Sequence, residues 1–154
     1  MPEVAAPVDA APPGALPLCA GADLAEAGRA CVFDVRLWGR PARAFALRFD
    51  GRVVAYMNRC AHVPTEMDWQ PGEFLDSQRQ FILCAMHGAV YEPTTGQCIS
   101  GPCRGARLMA ITVVERGGQV YWYPSRDIGP ALPEDPPEAA VPAALSPTPL
   151  SDAP

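Results

Sequence analysis

Both histidines of this 154-residue chain stand beside a cysteine, and that placement constrains the fold more than any other feature of the sequence. One pair is Cys60-Ala61-His62 and the other Cys84-Ala85-Met86-His87, with 21 residues between His62 and Cys84. Thiolates and imidazoles are the ligands that zinc and iron–sulfur centres take. The surrounding segment, residues 58–104, is rich in Cys, His, Gly and Pro and holds one short apolar run, Phe81-Ile82-Leu83. A segment with so little core of its own calls for something else to hold it together, and a metal is the usual agent.

The sequence on either side reads as β. Ala30-Cys31-Val32-Phe33-Asp34-Val35 and Arg43-Ala44-Phe45-Ala46-Leu47-Arg48-Phe49 alternate with the period of 2 expected of half-buried strands. Asp50-Gly51 predicts a tight hairpin into Arg52-Val53-Val54-Ala55-Tyr56-Met57, and Gly117-Gly118 predicts another between Leu108–Glu115 and Gln119–Tyr123. Asp23 to Ala27 offers a helical turn at most. The expected fold class is all-β, with a loop-rich module inserted between two hairpins.

Proline marks where this fold should stop. Of 19 prolines, five lie in residues 1–17 and nine in residues 124–154. Both ends are rich in Ala and Pro and poor in aromatic and β-branched residues, so they bury too little apolar surface to offset the entropy of ordering. The expected organisation is a disordered 1–17 segment, a folded domain over 18–123 and a disordered, acidic 124–154 tail. The net charge of −5 also sits in the ends, which carry −2 and −4 against +1 for the centre. No nucleic-acid footprint follows from that balance, and no stretch approaches the roughly 20 apolar residues of a membrane span. Met1-Pro2-Glu3-Val4 shows no basic region, apolar run or twin arginine, so a cytoplasmic location is expected. Six cysteines in a reducing compartment are ligands or core thiols rather than a disulfide framework.

Zinc sites generally clamp the ion between Cys-Cys and His-His turns, whereas each turn here pairs one Cys with one His. That pairing suits a two-iron cluster in which one iron takes both cysteines and the other both histidines. Cys60 and Cys84 would hold the inner iron, His62 and His87 the outer one. A structural zinc module is the alternative.

Cys-x-His followed by Cys-x-x-His, with the later Gly101-Pro102 and sheets on both sides, resembles the Rieske [2Fe–2S] domain over roughly residues 18–123. The resemblance implies three antiparallel β layers, a cluster-binding subdomain over 58–104, one [2Fe–2S] cluster per chain, and a Gly101-Pro102 loop covering it. It implies outer-iron histidines at the surface and a midpoint potential that responds to pH. Two departures matter. Where respiratory Rieske proteins carry an extra cysteine in each ligand loop, this chain has Thr65 and Met86, so that bridge is missing. Their serine, two residues after the second ligand histidine, is here Ala89, while the tyrosine that bonds a ligand sulfur is kept as Tyr91. Hydrogen bonds to cluster sulfurs raise the potential, so Ala89 places it in the lower half of the family's span of about −150 to +300 mV.

The implied function is one-electron carriage between a reductase and an acceptor such as an oxygenase. The chain shows no G-x-G-x-x-G after a strand and no spare histidine for a mononuclear iron, so catalysis is not expected of it. A non-catalytic subunit or redox sensor in a larger complex is the alternative role. Other residues have simpler expected roles. Glu66, Asp68, Glu73 and Asp76 form a solvated acidic loop or a docking patch, with Met67 and Trp69 packing it back. Cys98 and Cys103 flank the Gly-Pro loop as small semi-buried residues rather than a disulfide, and Cys19 and Cys31 belong to the core.

Overall fold

The computed structural model describes residues 11–61, 65–86, 88–102 and 104–133. His62, His87 and Cys103 lie outside the described residues, as do 1–10 and 134–154. Eleven strands run β1 (Leu16–Ala20), β2 (Cys31–Leu37), β3 (Arg40–Phe49), β4 (Arg52–Met57), β5 (Ile82–Leu83), β6 (Val90–Tyr91), β7 (Cys98–Ser100), β8 (Ala110–Ile111), β9 (Val113–Arg116), β10 (Gln119–Trp122) and β11 (Ile128–Pro130). Helix is limited to a single 3₁₀ turn, Gly21–Asp23, among the described residues. The strands form three antiparallel sheets: β11-β2-β3-β4-β8, β1-β10-β9 and β5-β6-β7.

Alternation along β3 sets the layering. Its centre, Ala44-Phe45-Ala46-Leu47, is buried on both faces. Phe45 and Leu47 point into one core, which also holds Met67, Phe74, Ile82, Cys84 and Tyr91 of the inserted module. Ala44 and Ala46 point into the other, which contains Trp122 of the β1-β10-β9 sheet. β4 divides the same way, Tyr56 to the first core and Ala55 and Met57 to the second. The five-stranded sheet is therefore the middle layer. Three alanines on the Trp122 side leave room for the indole, whereas on the module side Phe45 stacks on Phe74 with centroids 3.7 Å apart. Each such fully buried large side chain contributes roughly 1.5–3 kcal/mol.

Both expected hairpins form. Asp50 and Gly51 have φ of +56° and +77°, and Gly117 and Gly118 of +59° and +81°, the left-handed pair a two-residue hairpin requires. A third joins β2 to β3 through Trp38 and Gly39, at +52° and +79°.

Ordered structure reaches further than 18–123 at both ends. Leu16 and Pro17 already pair with Trp122 and Tyr121. Past Tyr123, β11 pairs with β2, Ile128 opposite Leu37 and Pro130 opposite Val35. The reason is Ile128, the one β-branched residue in 124–133, which is buried in the Trp122 core. Pro130 is tolerated because β11 is an edge strand. No helix among the described residues is long and apolar enough to cross a membrane.

Candidate metal centre

The two cysteine turns are built alike. Cys60 leaves the end of β4 and Cys84 the end of β5. In each, the cysteine amide donates to the carbonyl five residues on: Cys60 N–H to Thr65 at 2.9 Å, Cys84 N–H to Ala89 at 2.8 Å. Gly88 N–H returns to the Cys84 carbonyl at 2.9 Å, in a left-handed conformation. Both cysteines are buried. His62 and His87 fall inside these two closures in sequence and outside the described residues.

The closures are fastened to each other. Ala85 N–H, next to Cys84, donates to the Met67 carbonyl at 2.9 Å. Met67 is fully buried, and its own N–H donates to Asn58 Oδ1 at 2.7 Å. Asn58, the one buried polar side chain among the described residues, also donates through Nδ2 to Asp68 at 3.1 Å. Arg43 of β3 holds Glu66 through both guanidinium arms. The first loop is thus anchored to the middle sheet just beyond Thr65, and to the second loop at Met67.

Tyr91 joins the first turn to β6. Its buried hydroxyl accepts a hydrogen bond from Ala61 N–H at 2.9 Å and lies 3.2 Å from Cys60 Sγ. With its oxygen occupied by Ala61, the hydroxyl is placed to give its proton to sulfur, the arrangement a thiolate needs. The third loop leaves β7 at Gly101, whose φ is +102°. A Cβ at Gly101 would stand 2.8 Å from Ala89 Cα and 3.2 Å from the Gly88 carbonyl. Only glycine lets the Gly101-Pro102 loop lie this close on the second cysteine turn. At this end Ala85, Met86, Gly88, Gly101 and Pro102 are exposed, Met86 at 60%.

The carboxylates of the acidic loop are half-buried and each has a partner within the fold. Glu66 pairs with Arg43, and Asp68 accepts from Asn58 and from Gly72 N–H. Glu73 meets Arg79 at 3.3 Å and Arg29 at 3.7 Å, and Asp76 accepts from Gln80 N–H at 2.8 Å. The carboxylates do more than solvate the loop: a donor is aimed at each, and together they fold it. Met67 packs the loop back as expected, but Trp69 stays half exposed. Cys98 is buried and donates to the Ser100 carbonyl at 3.3 Å, a core role; its suggested neighbour Cys103 lies outside the described residues. Sequence reasoning missed Asn58 and Arg43, whose partners lie across loop closures that no local pattern reveals.

A buried pair of cysteine turns with matched closures thus stands on a three-layer antiparallel frame. The model of the Rieske [2Fe–2S] domain matches residues 15–121, and the chain belongs to that family. One [2Fe–2S] cluster per chain is the cofactor this membership brings, and the two cysteines among the described residues suit it. Two buried sulfurs sit in like turns, one with a hydroxyl beside it.

Among solved structures, the chain is similar to the terminal oxygenase of carbazole 1,9a-dioxygenase from Novosphingobium sp. KA1. That match has 25% identity and a TM-score of 0.56, over 79% of this chain and 31% of the oxygenase. It is also similar to the ferredoxin of carbazole 1,9a-dioxygenase from Nocardioides aromaticivorans IC177, at 21% identity and a TM-score of 0.56, over 72% of this chain and 98% of the ferredoxin. The chain thus spans about a third of the oxygenase's length and nearly all of the ferredoxin's. No curated protein matches it in sequence.

Proposed function

We propose that this chain is a one-electron carrier working between a reductase and an acceptor, an oxygenase being the acceptor class that best suits its fold. Cys60 and Cys84 are assigned to the inner iron of the cluster, His62 and His87 to the outer one, and Tyr91, Gly101 and Pro102 to its surroundings. The bound cluster supplies a site that takes up and returns a single electron. The chain's residues then have distinct tasks. Tyr91 donates to the sulfur of Cys60 and so favours negative charge there. Ala89, fully buried, offers no hydroxyl where a second such donor would stand. Asn58, Met67 and Arg43 hold the first loop against the second, so little rearrangement accompanies a change of charge. The exposed rim of Ala85, Met86, Gly88 and Pro102 gives a partner an apolar surface on which to approach.

The observation that carries this reading is the hydroxyl of Tyr91, held by Ala61 N–H and directed at a buried cysteine sulfur beside a matched second cysteine turn. A carrier of this kind needs thiolate ligands kept reduced, and the cytoplasm is the compartment we assign. The carrier itself is not an enzyme in this reading. The likeness to a terminal oxygenase over 31% of that protein favours one further reading, the electron-entry domain of an oxygenase assembly. Rapid mixing separates the two. The reduced protein, mixed with a separate oxygenase of the carbazole-dioxygenase type, should be reoxidised in a second-order step. Failure with every separately supplied oxygenase, together with aromatic hydroxylation by a longer form of the chain, would favour the entry domain.

A further inference from the structure

Trp38 stands where a two-residue hairpin asks for asparagine or glycine. Its φ is +52°, ahead of Gly39 at +79°, and a bulky side chain held in that region is strained. No burial compensates the strain, because Trp38 is 57% exposed. What the ring meets is Arg59, whose guanidinium carbon lies 5.1 Å from its centroid. Arg59 has no carboxylate partner among the described residues. Its N–H donates to the Met57 carbonyl at 2.8 Å, in a turn that sets it immediately before the buried Cys60. Charge at this corner is opposite in sign to that of the whole chain. Arg36 and Arg40 flank the hairpin, and Trp38 N–H binds the Asp127 carbonyl at 2.9 Å, beside Arg126. Glu66 is taken by Arg43. Arg36, Arg40, Arg59 and Arg126 thus stand against Asp34 and Asp127, in a chain of net charge −5. Arg59 also lines a cleft of about 180 Å³ with Leu37, Pro41, Asn58 and Thr65.

Resting on the carrier reading, the geometry points to Trp38 and Arg59 as the docking anchor for an acidic redox protein, one whose cofactor edge is ringed by carboxylates. The indole enters the apolar centre of that surface, and Arg59 with its arginine neighbours meets the carboxylates. The cleft admits a side chain beside them. Tryptophan and arginine are the residues that carry most of the energy at protein interfaces. An indole that is strained and wet in the free protein gains burial only in a complex. Complementary charge steers the encounter, so the local sign, not the net charge, sets how the rate responds to salt. A partner seated on Arg59 stands one residue from Cys60, at the end of the molecule where the electron leaves or enters.

The probe is flavodoxin hydroquinone, an acidic protein that gives up single electrons at low potential; the methyl viologen radical, a small cation, is the control donor. Each is mixed with the oxidised holoprotein by stopped flow at several ionic strengths. The rate with flavodoxin should fall as salt rises, although both proteins carry net negative charge. Arg59→Ala should slow it about threefold at low salt and little at high salt. Trp38→Asn should slow it roughly tenfold at every salt. That variant should melt no lower than the parent, because Asn-Gly suits this hairpin better than Trp-Gly. Both variants should keep the parent's midpoint, and their rates with the viologen radical should not fall. Trp69→Ala removes an indole 50% exposed and should react as the parent does. A parent rate that rises with salt, or Trp38→Asn or Arg59→Ala rates equal to the parent's, would overturn the inference. So would equal slowing by Trp69→Ala, or a lowered melting temperature in Trp38→Asn. Protein lacking the cluster's visible absorbance before any mixing would instead remove the carrier reading, and this inference with it.

Discussion

Replacing Tyr91 by Phe should lower the midpoint potential without dismantling the fold. The ring is fully buried and its hydroxyl has two partners, Ala61 N–H at 2.9 Å and Cys60 Sγ at 3.2 Å. Phenylalanine keeps the packing and removes both contacts. A hydrogen bond to a charged acceptor contributes about 1.5–3 kcal/mol. The sulfur is anionic in both oxidation states, so only part of this, about 1 kcal/mol, distinguishes reduced from oxidised protein. At 59 mV per factor of ten, and ~1.4 kcal/mol for the same factor, the midpoint should fall by roughly 40 mV. Leaving the part-buried Ala61 N–H without its acceptor costs a further ~1 kcal/mol of stability. Spectroelectrochemical titration of both proteins at one pH reads the shift, and thermal melts read the second effect. A midpoint that stays in place or rises, in a variant that keeps its iron, would refute the reasoning that this hydroxyl acts on a ligand sulfur.

Other predictions follow from the same contacts. Asn58→Ala strands the buried Met67 N–H and should cost about 2 kcal/mol in denaturant unfolding; Asn58→Asp should recover part of this only at low pH, because it sets a carboxylate against Asp68. Gly101→Ala places a Cβ 2.8 Å from Ala89 Cα at a φ of +102°, so the third loop must lift away. That variant should lose iron faster on dilution than the parent. The Glu115 carboxyl is held below its ordinary 4.5 by hydrogen bonding to Arg48, which ties β3 to β9 across layers. A lowered carboxylate stabilises above its unfolded value and loses that contribution as pH falls through its folded one. Melting temperature should therefore decline below about pH 4.5 less steeply in Arg48→Ala, which starts lower at neutral pH. Finally, the midpoint of the parent should lie in the lower half of about −150 to +300 mV.

What could be read from the sequence was local. The closures at Cys60 and Cys84 and the Asp50-Gly51 and Gly117-Gly118 hairpins depend on residues within a few positions of each other, so spacing and turn chemistry reveal them. The Trp38-Gly39 hairpin escaped notice because tryptophan rarely adopts a positive φ. It does so here with Arg59 5.1 Å over its ring and its N–H on the Asp127 carbonyl. β11 was hidden for a related reason: a lone Ile128 among polar and proline residues forms a strand only because β2 offers it an edge and a core. The acidic loop misled most. Its carboxylates read as solvated, yet Arg43 and Asn58 reach Glu66 and Asp68 from outside the loop, and Gly72, Arg79 and Gln80 bond Asp68, Glu73 and Asp76 within it. In the metal centre, the cysteine turns were legible as chemistry, while the anchoring through Met67 emerged only from the fold.

The central claim is most directly tested by EPR of the anaerobically purified, dithionite-reduced protein at low temperature. Mixed ligation by Cys60, Cys84, His62 and His87 predicts a rhombic signal with an average g clearly below that of all-cysteine [2Fe–2S] ferredoxins. A colourless, silent sample containing zinc and no iron, even after anaerobic reconstitution, would contradict it and leave the two turns as a structural site.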